Sequence, residues 1–312
     1  MSKIKEILNK HEAREFRKKK FTQPVAQRVV QWVGGKRQLL DRYQDHFPKE
    51  IENYYEPFLG GAAVFFYLKS KNAISGDCYL SDINEELINL YTTITSSSTQ
   101  VSELLNAINE KHSKEVFYEI RNVDRNKISR NRYEKTANVS DILSEVERAA
   151  RMLYLNKTCF NALYRVNKDG LFNVPIGTSL KKDFSDHGNL KSSGEILSSA
   201  NISVSDYKTI LKQAKEGDFV FLDPPYEPVE GEGNFTSYTS SGFTFKDQVA
   251  LKEECDRLDS IGVKFALSNS NAAKILDLYK DYTIEQFVVN RNLNSKAEKR
   301  KSSAKEILVK NY

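Results

Sequence analysis

The 312-residue chain predicts an α/β fold, a parallel sheet assembled from both ends of the sequence with a mainly helical segment inserted between them. Three observations carry this. Short apolar runs bounded by glycine alternate with helical patterns from Val29 onward, the texture of β-α units. Between about residues 95 and 199 the pattern becomes helical, polar and basic. Strand-like runs then return. At about 150 residues per domain the length suits roughly two domains. The expected division is a basic N-terminal arm at 1–24, an α/β domain formed by 25–94 and 200–312, and an inserted domain at 95–199.

In chain order, residues 1–20 predict a short amphipathic helix with Ile4, Ile7 and Leu8 on one side, ended by Lys18-Lys19-Lys20 and Pro24. The runs VVQWVGGK, YYEPFLGG and CYLSDIN follow, each leading into a helical pattern such as Glu85 to Tyr91. VSELLNAINEKH and ILSEVERAARMLYL predict helices of the inserted segment. Ile202-Ser203-Val204, Phe219 to Leu222, Phe265-Ala266-Leu267 and Glu306 to Val309 predict the strands that complete the sheet. There is no internal repeat and no low-complexity tract.

A hydrophobic fraction of 39% with 29% charged residues excludes a disordered chain. No run approaches the ~20 apolar residues of a spanning helix, and the charged N-terminus lacks the apolar core of a signal peptide. A cytoplasmic protein with no membrane partner is expected. Cys78, Cys159 and Cys255 sit in no metal-like spacing and read as free thiols. The net charge of +5 matters less than its distribution. Residues 1–23 hold eight Lys/Arg against three Glu, 291–305 hold six against one, and 121–191 hold fourteen against eight Asp/Glu. Such runs suit polyanion contact or a solvated surface, and other motifs must decide between the two.

Asp223-Pro224-Pro225-Tyr226 directly follows the apolar run Phe219 to Leu222, which places it at the carboxyl end of a parallel strand, where reacting groups collect in open α/β folds. The set suits methylation of an exocyclic amino group. The lone pair of such a group is delocalised into the ring, and two acceptors, the Asp223 carboxylate and a prolyl carbonyl, can draw it out of conjugation. The prolines are stiff and donate nothing, so the acceptors are in place beforehand. Tyr226 offers an aromatic face to a base. The bland alternative is a rigid turn with a surface aspartate.

Glu56-Pro57-Phe58-Leu59-Gly60-Gly61 follows Tyr54-Tyr55 and opens a helical run, and glycines in such a turn let the backbone approach a ligand. Asp82, at the end of the next strand, stands where an acid holds ribose hydroxyls. Gly-x-Gly-x-x-Gly is absent, which disfavours nicotinamide or flavin, and Gly34-Gly35-Lys36 is not a P-loop. Beside Trp32 that turn suits a small zwitterion, with Lys36 reaching a carboxylate and Trp32 an adenine or a sulfonium. Each feature alone also has a structural reading: a turn, a core tryptophan, a solvated lysine.

The succession Trp32-Val33-Gly34-Gly35-Lys36, Glu56-Pro57-Phe58, Ser81-Asp82-Ile83-Asn84, Tyr154 to Lys157, Arg165-Val166-Asn167, Phe172-Asn173-Val174-Pro175, Asp223 to Tyr226 and Leu267-Ser268-Asn269 resembles the Dam-type (D12 class) DNA adenine N6-methyltransferases. The likeness covers about 29–312, and within the family it is greatest to the modification methylases of GATC restriction systems. It implies a class I S-adenosylmethionine-dependent methyltransferase sheet, Rossmann-like, with 95–199 as the target-recognition domain. S-adenosylmethionine would be held by Trp32, Lys36, Phe58, Gly60, Asp82, Asp206, Tyr207 and Asp223, with Asp223, Pro224, Pro225 and Tyr226 catalytic. Double-stranded DNA would be contacted by Gln31, Phe160, Asn161, Leu163, Arg165 and Pro175, together with Arg291, Lys299 and Arg300 of the basic run. A paired restriction endonuclease is a further implied partner.

The physics of DNA recognition is compatible with this. An arginine can grip a guanine edge with two donors, an apolar side chain can wedge into the gap left by an extruded base, and adenine N6 must leave the stack to meet a methyl group in a closed pocket. Arg165 could instead contact phosphate. Two positions depart from the family: Gln31 replaces the usual lysine before Trp32, and Ala162 replaces a glycine and tolerates positive φ less easily. No metal is expected, since His11, His46, His112 and His187 lie in no motif. The alternatives are methylation of another amino group, at cytosine N4, in RNA or on a protein glutamine, and a non-catalytic DNA-binding relative.

Overall fold

A computed structural model of the chain describes residues 2–13, 28–32, 36, 40, 42–129, 132–178, 187–229, 242–290 and 303–312. They divide into two compact units, one of Met1–Gly34 with Asn84–Ile202, the other of Gly35–Ile83 with Ser203–Tyr312.

The second unit is built on a seven-stranded sheet. Its strands are β1 (Tyr54–Glu56) and β2 (Cys78–Asp82), then β5 (Asn201–Val204), β6 (Phe219–Leu222), β7 (Lys264–Ser270), β8 (Thr283–Asn290) and β9 (Ser303–Lys310), in the order β5-β2-β1-β6-β7-β9-β8. Here β3 (Arg125–Ser129) and β4 (Arg132–Lys135) are reserved for a separate hairpin in the other unit. β1, β2, β6 and β7 run parallel, whereas β9 lies antiparallel between β7 and β8. Central strands covered on both faces should be apolar throughout, and every residue of Phe219-Val220-Phe221-Leu222 is buried. This mixed α/β architecture with a mainly parallel central sheet fits a class I methyltransferase. The parallel strands point their carboxyl ends, at Glu56, Asp82, Leu222 and Ser270, the same way, so side chains there lie toward one edge of the sheet.

The first unit is mainly helical. Its longest helix runs from Glu85 to Lys111, with Asn84 capping its start through Leu87 N and one non-helical residue at Ser97. The polar residues from Thr95 thus continue one helix, interrupted at Ser97, and the longer stretch of this unit starts at Asn84. The helix His187–Leu197 packs closely against that break: a Cβ on Gly194 would lie 2.2 Å from the Ile94 carbonyl oxygen, so only glycine fits. The N-terminal helix, Lys3–Leu8, buries Ile4, Ile7 and Leu8 as its periodicity predicts. Glu147, near the start of the helix Glu145–Thr158, accepts from Ile4 N at 2.9 Å, Ser2 Oγ at 2.7 Å and Ser144 Oγ at 3.0 Å, so one carboxylate caps two helices.

One expectation requires correction. The run beginning VVQW forms no strand where it is described: Val29 and Val30 are buried, but Gln31 N donates to Asn156 Oδ1 at 2.9 Å and Gln31 O accepts from Asn156 Nδ2 at 2.8 Å. A side-chain amide thus takes the backbone groups that a neighbouring strand would need. The mainly helical unit also contains the antiparallel β3–β4 hairpin. Its largely exposed, polar residues carry no apolar alternation from which it could be read. Cys78, Cys159 and Cys255 are free and buried.

Candidate active site

Asp223 emerges directly from β6, and its Oδ1 lies 2.7 Å from Lys36 Nζ. Lys36 is 2% exposed and Asp223 21%, so the pair is largely withdrawn from water while the carboxylate keeps an open side. Burial raises the Asp223 carboxyl to about 6, against the pull of Lys36 and with a further push from Glu306. The Lys36 ammonium also lies 4.8 Å from the centre of the Tyr226 ring, within cation–π range.

Tyr226 is tethered at its hydroxyl, 2.6 Å from Ser268 Oγ and donating to Glu306 Oε2 at 2.9 Å. The Tyr43 hydroxyl lies 3.2 Å from Ser268 Oγ. A single direction satisfies the chain, from Tyr43 to Ser268 to Tyr226 to Glu306. Burial, with Asp223 and Glu306 nearby, lifts the Tyr226 phenol well above its ordinary value, so it stays a donor. The ring is held at both its face and its hydroxyl.

The Pro225 carbonyl accepts from Gln248 Nε2 at 2.8 Å, and Gln248 Oε1 accepts from Asn269 Nδ2 at 3.1 Å. Asn269 Oδ1 accepts from Glu227 N at 3.2 Å, and Ser270 Oγ donates to Glu227 O at 2.6 Å. The segment after β6 is thereby pinned to β7 and to the helix Phe245–Ser260.

Beside it, the glycine turn after β1 is held by the end of β2. Gly60 N donates to Asp82 Oδ2 at 3.0 Å and Leu59 N to Ser81 O at 3.0 Å. Gly60 has φ 45°, a left-handed turn in which glycine is at ease. Glu56 is buried, accepting from Tyr54 Oη at 2.8 Å and from Phe65 N at 3.1 Å at the start of the helix Ala63–Ser70. Burial raises its carboxyl to about 8 despite the hydrogen bond from Tyr54. Phe58 stacks on Tyr207 with centroids 5.5 Å apart. Asp206 accepts from Thr209 N at 2.8 Å and so caps the short helix that begins at Tyr207. Ile83, next to Asp82, is 57% exposed, an apolar side chain left open at a strand end.

Lys36, Phe58, Gly60, Asp82, Asp206, Tyr207 and Asp223 to Tyr226 thus all belong to the sheet unit. Trp32 belongs to the helical unit, stacked on Tyr164 at 5.4 Å. In that unit Phe160, Asn161, Leu163, Arg165 and Pro175 form one looped segment. Phe160 N donates to Pro175 O at 2.9 Å, Asn173 N to Arg165 O at 3.0 Å, and Arg165 Nε to Asn173 Oδ1 at 2.8 Å. Asn161 and Ala162 both adopt positive φ, 57° and 52°, so the alanine takes the left-handed turn that glycine would occupy more easily. Asn156 Nδ2 also reaches Ala162 O at 3.2 Å, tying this loop to Gln31. Phe160 is 44% exposed. Arg291, Lys299 and Arg300, with Gly34 and Gly35, lie outside the described residues. Among the described residues no cluster of three His, Cys, Asp or Glu could hold a metal ion, and no helix is long and apolar enough to cross a membrane.

Gln248 and Glu306 are the parts that motif reading does not assign, because they meet the Asp223–Tyr226 segment across 23 and 80 residues of sequence.

Residues 32–293 match the family model for D12 class N6 adenine-specific DNA methyltransferases. The chain is 39% identical over 285 residues to the Type II methyltransferase M1.LlaDCHI of Lactococcus lactis subsp. cremoris, covering 91% of this chain and 94% of that protein. It is 36% identical over 296 residues to the Type II methyltransferase M.MjaIII of Methanocaldococcus jannaschii, covering 91% and 98%. To the DNA adenine methylase of Vibrio cholerae it is 31% identical over 268 residues, covering 85% and 89%. An acceptor carboxylate and a proline-stiffened carbonyl at a strand end suit an amino group as substrate, and these matches run through that same segment. The chain belongs to the D12 class of N6 adenine-specific DNA methyltransferases.

Proposed function

We propose that the protein transfers a methyl group from S-adenosylmethionine to N6 of an adenine everted from duplex DNA, at GATC. The observation that carries this is the largely buried Asp223 carboxylate with one open side, held by Lys36 beside a prolyl carbonyl pinned from outside the loop. Gln248 already donates to the Pro225 oxygen, so the Pro224 carbonyl is assigned as second acceptor. Asp223 and Pro224 O each take one amino hydrogen and draw the nitrogen lone pair out of conjugation with the ring. Tyr226, with Lys36 at one face, offers the other face to the base. The amino proton leaves after N6 has become positively charged, so it passes to water or through Asp223 and requires no strong base.

The donor fits the remaining residues. Asp82 suits ribose hydroxyls, the Gly60 turn admits a ligand close to the backbone, and the open Ile83 with the Phe58–Tyr207 stack supplies apolar surface for an adenine ring. When bound, the donor supplies a methyl group on a sulfonium. We assign Phe160, Asn161, Leu163, Arg165, Pro175 and Gln31 to DNA contact. The Type II names of two relatives support a paired endonuclease.

The test is to incubate the protein with labelled S-adenosylmethionine and duplexes carrying GATC or its single-base variants, then identify the methylated nucleoside by mass. N6-methyladenine confined to GATC is expected. N4-methylcytosine would overturn the choice of amino group, and N6-methyladenine at another sequence would overturn the site.

A further inference from the structure

Prolines 224 and 225 have no N–H, so the only main-chain handles of this segment are its carbonyls. A stiff dipeptide is rigid within itself but needs an outside donor to fix where it points. Gln248 is 0% exposed and is that donor, 2.8 Å from Pro225 O. Its orientation is determined by Asn269, also 0% exposed. Asn269 Nδ2 donates to Gln248 Oε1 at 3.1 Å, which turns Nε2 toward the proline. Asn269 is in turn oriented by its other end, where Oδ1 accepts from Ser270 N at 2.8 Å and Glu227 N at 3.2 Å. The relay is polar throughout, buried, and satisfied at each step, the condition under which such networks make a structure rigid. Gln248 lies in the first turn of the helix Phe245–Ser260, whose start is closed by a capping box of Thr244 and Asp247, so its backbone is also fixed.

We propose that Gln248, oriented by Asn269, is a positioning residue for methyl transfer: it sets the direction of the prolyl segment so that the Pro224 carbonyl and the Asp223 carboxylate converge on one amino group. This rests on the reading of Asp223 and Pro224 as acceptors. Only a side chain that donates at one end and accepts at the other completes the relay. Glutamate could accept from Asn269 but would present no donor to the proline, and methionine, of similar length, offers neither.

The test compares Gln248→Met, Asn269→Asp and the double variant in single-turnover methylation of a duplex that the wild type modifies, with affinities for S-adenosylmethionine and DNA measured alongside. Asn269→Asp keeps the acceptor for Glu227 N and Ser270 N but removes the donor that orients Gln248. Each single variant should lower the methylation rate by on the order of 10- to 100-fold with both affinities within about twofold of wild type. The double variant should be no slower than the slower single one, since both break one relay. Thermal unfolding identifies any variant that fails to fold, in which case the other single variant decides. Rates within about twofold of wild type in a folded variant, or losses that multiply in the double variant, would overturn the assignment. Asp223→Ala is run in parallel. If it turns over normally the acceptor reading itself fails, whereas an inactive Asp223→Ala beside a normal Gln248→Met removes only the role of Gln248.

Discussion

Asp223 is caught between opposing influences, and their balance has a measurable sign. Burial raises it to about 6 while Lys36 pulls it down. The carboxylate is the form that accepts an amino hydrogen, so kcat/KM should rise with pH through about 6 and level off above it. Lys36→Met removes the lowering influence and should move that acidic limb upward, while a limb left unchanged would show that Lys36 does not act on Asp223. Folding has the opposite dependence for this group. A carboxyl raised in the folded state contributes stability that is present below the usual carboxylate range and is lost as pH rises through 6. Weak turnover near pH 5 is therefore not a sign of unfolding at Asp223. Tyr226 gives a second residue-level test: Tyr226→Phe keeps the ring but loses the tether to Ser268 and Glu306, and should retain more activity than Tyr226→Ala, which loses both. Equal losses in the two would remove the role of the ring.

Among the elements, the loop at 158–177 and the N-terminal helix each depend on a few groups. Ala162 holds a left-handed conformation that costs a side-chain-bearing residue about 1–2 kcal/mol. Ala162→Gly should raise stability by up to that amount in denaturant titration, less the entropy the glycine adds to the unfolded chain. A loss of stability would mean that the Ala162 methyl packs usefully. Glu147 joins the N-terminal helix to the helix Glu145–Thr158. Its burial works to raise the carboxyl, but the bonds from Ile4, Ser2 and Ser144 outweigh it and leave the group below its ordinary value. Its contribution is thus present at neutral pH and fades as pH falls through the lowered value. Glu147→Ala should cost about 2 kcal/mol and expose the N-terminal residues to protease. Unaltered cleavage would show that apolar packing of Ile4, Ile7 and Leu8 suffices. Such links explain what was legible among the elements. β6 and the core of β7 could be read because buried strands are continuous apolar runs. Val29 to Trp32 could not, since the group that takes Gln31's backbone, Asn156, lies 125 residues away. The β3–β4 hairpin has no apolar face to announce it.

For the whole molecule, the proposed function asks two kinds of surface to serve one reaction: the sheet edge for the chemistry and the helical unit for reading DNA. The strand-end residues Glu56, Asp82 and Asp223 were legible because the chemistry of a parallel sheet gathers at that edge. Gln248 and Glu306 were not, because no local spacing connects them to the segment they hold. Basic runs that contact phosphate, as proposed for this chain, give affinity without sequence information, so binding should weaken steeply as salt rises. Arg165 is exposed and held at Nε by Asn173, which suits the base contact proposed for its terminal nitrogens. Arg165→Ala should cost about 1–3 kcal/mol and relax one base position of the recognised site. A uniform loss across all sequences would assign it to phosphate.

The most direct measurement is nucleoside mass analysis after single-turnover reaction of wild type and Asp223→Ala with one duplex, with DNA binding followed in the same samples. Wild type should yield N6-methyladenine, and the variant should bind the duplex normally yet yield none. Undiminished N6-methyladenine from Asp223→Ala would contradict the account.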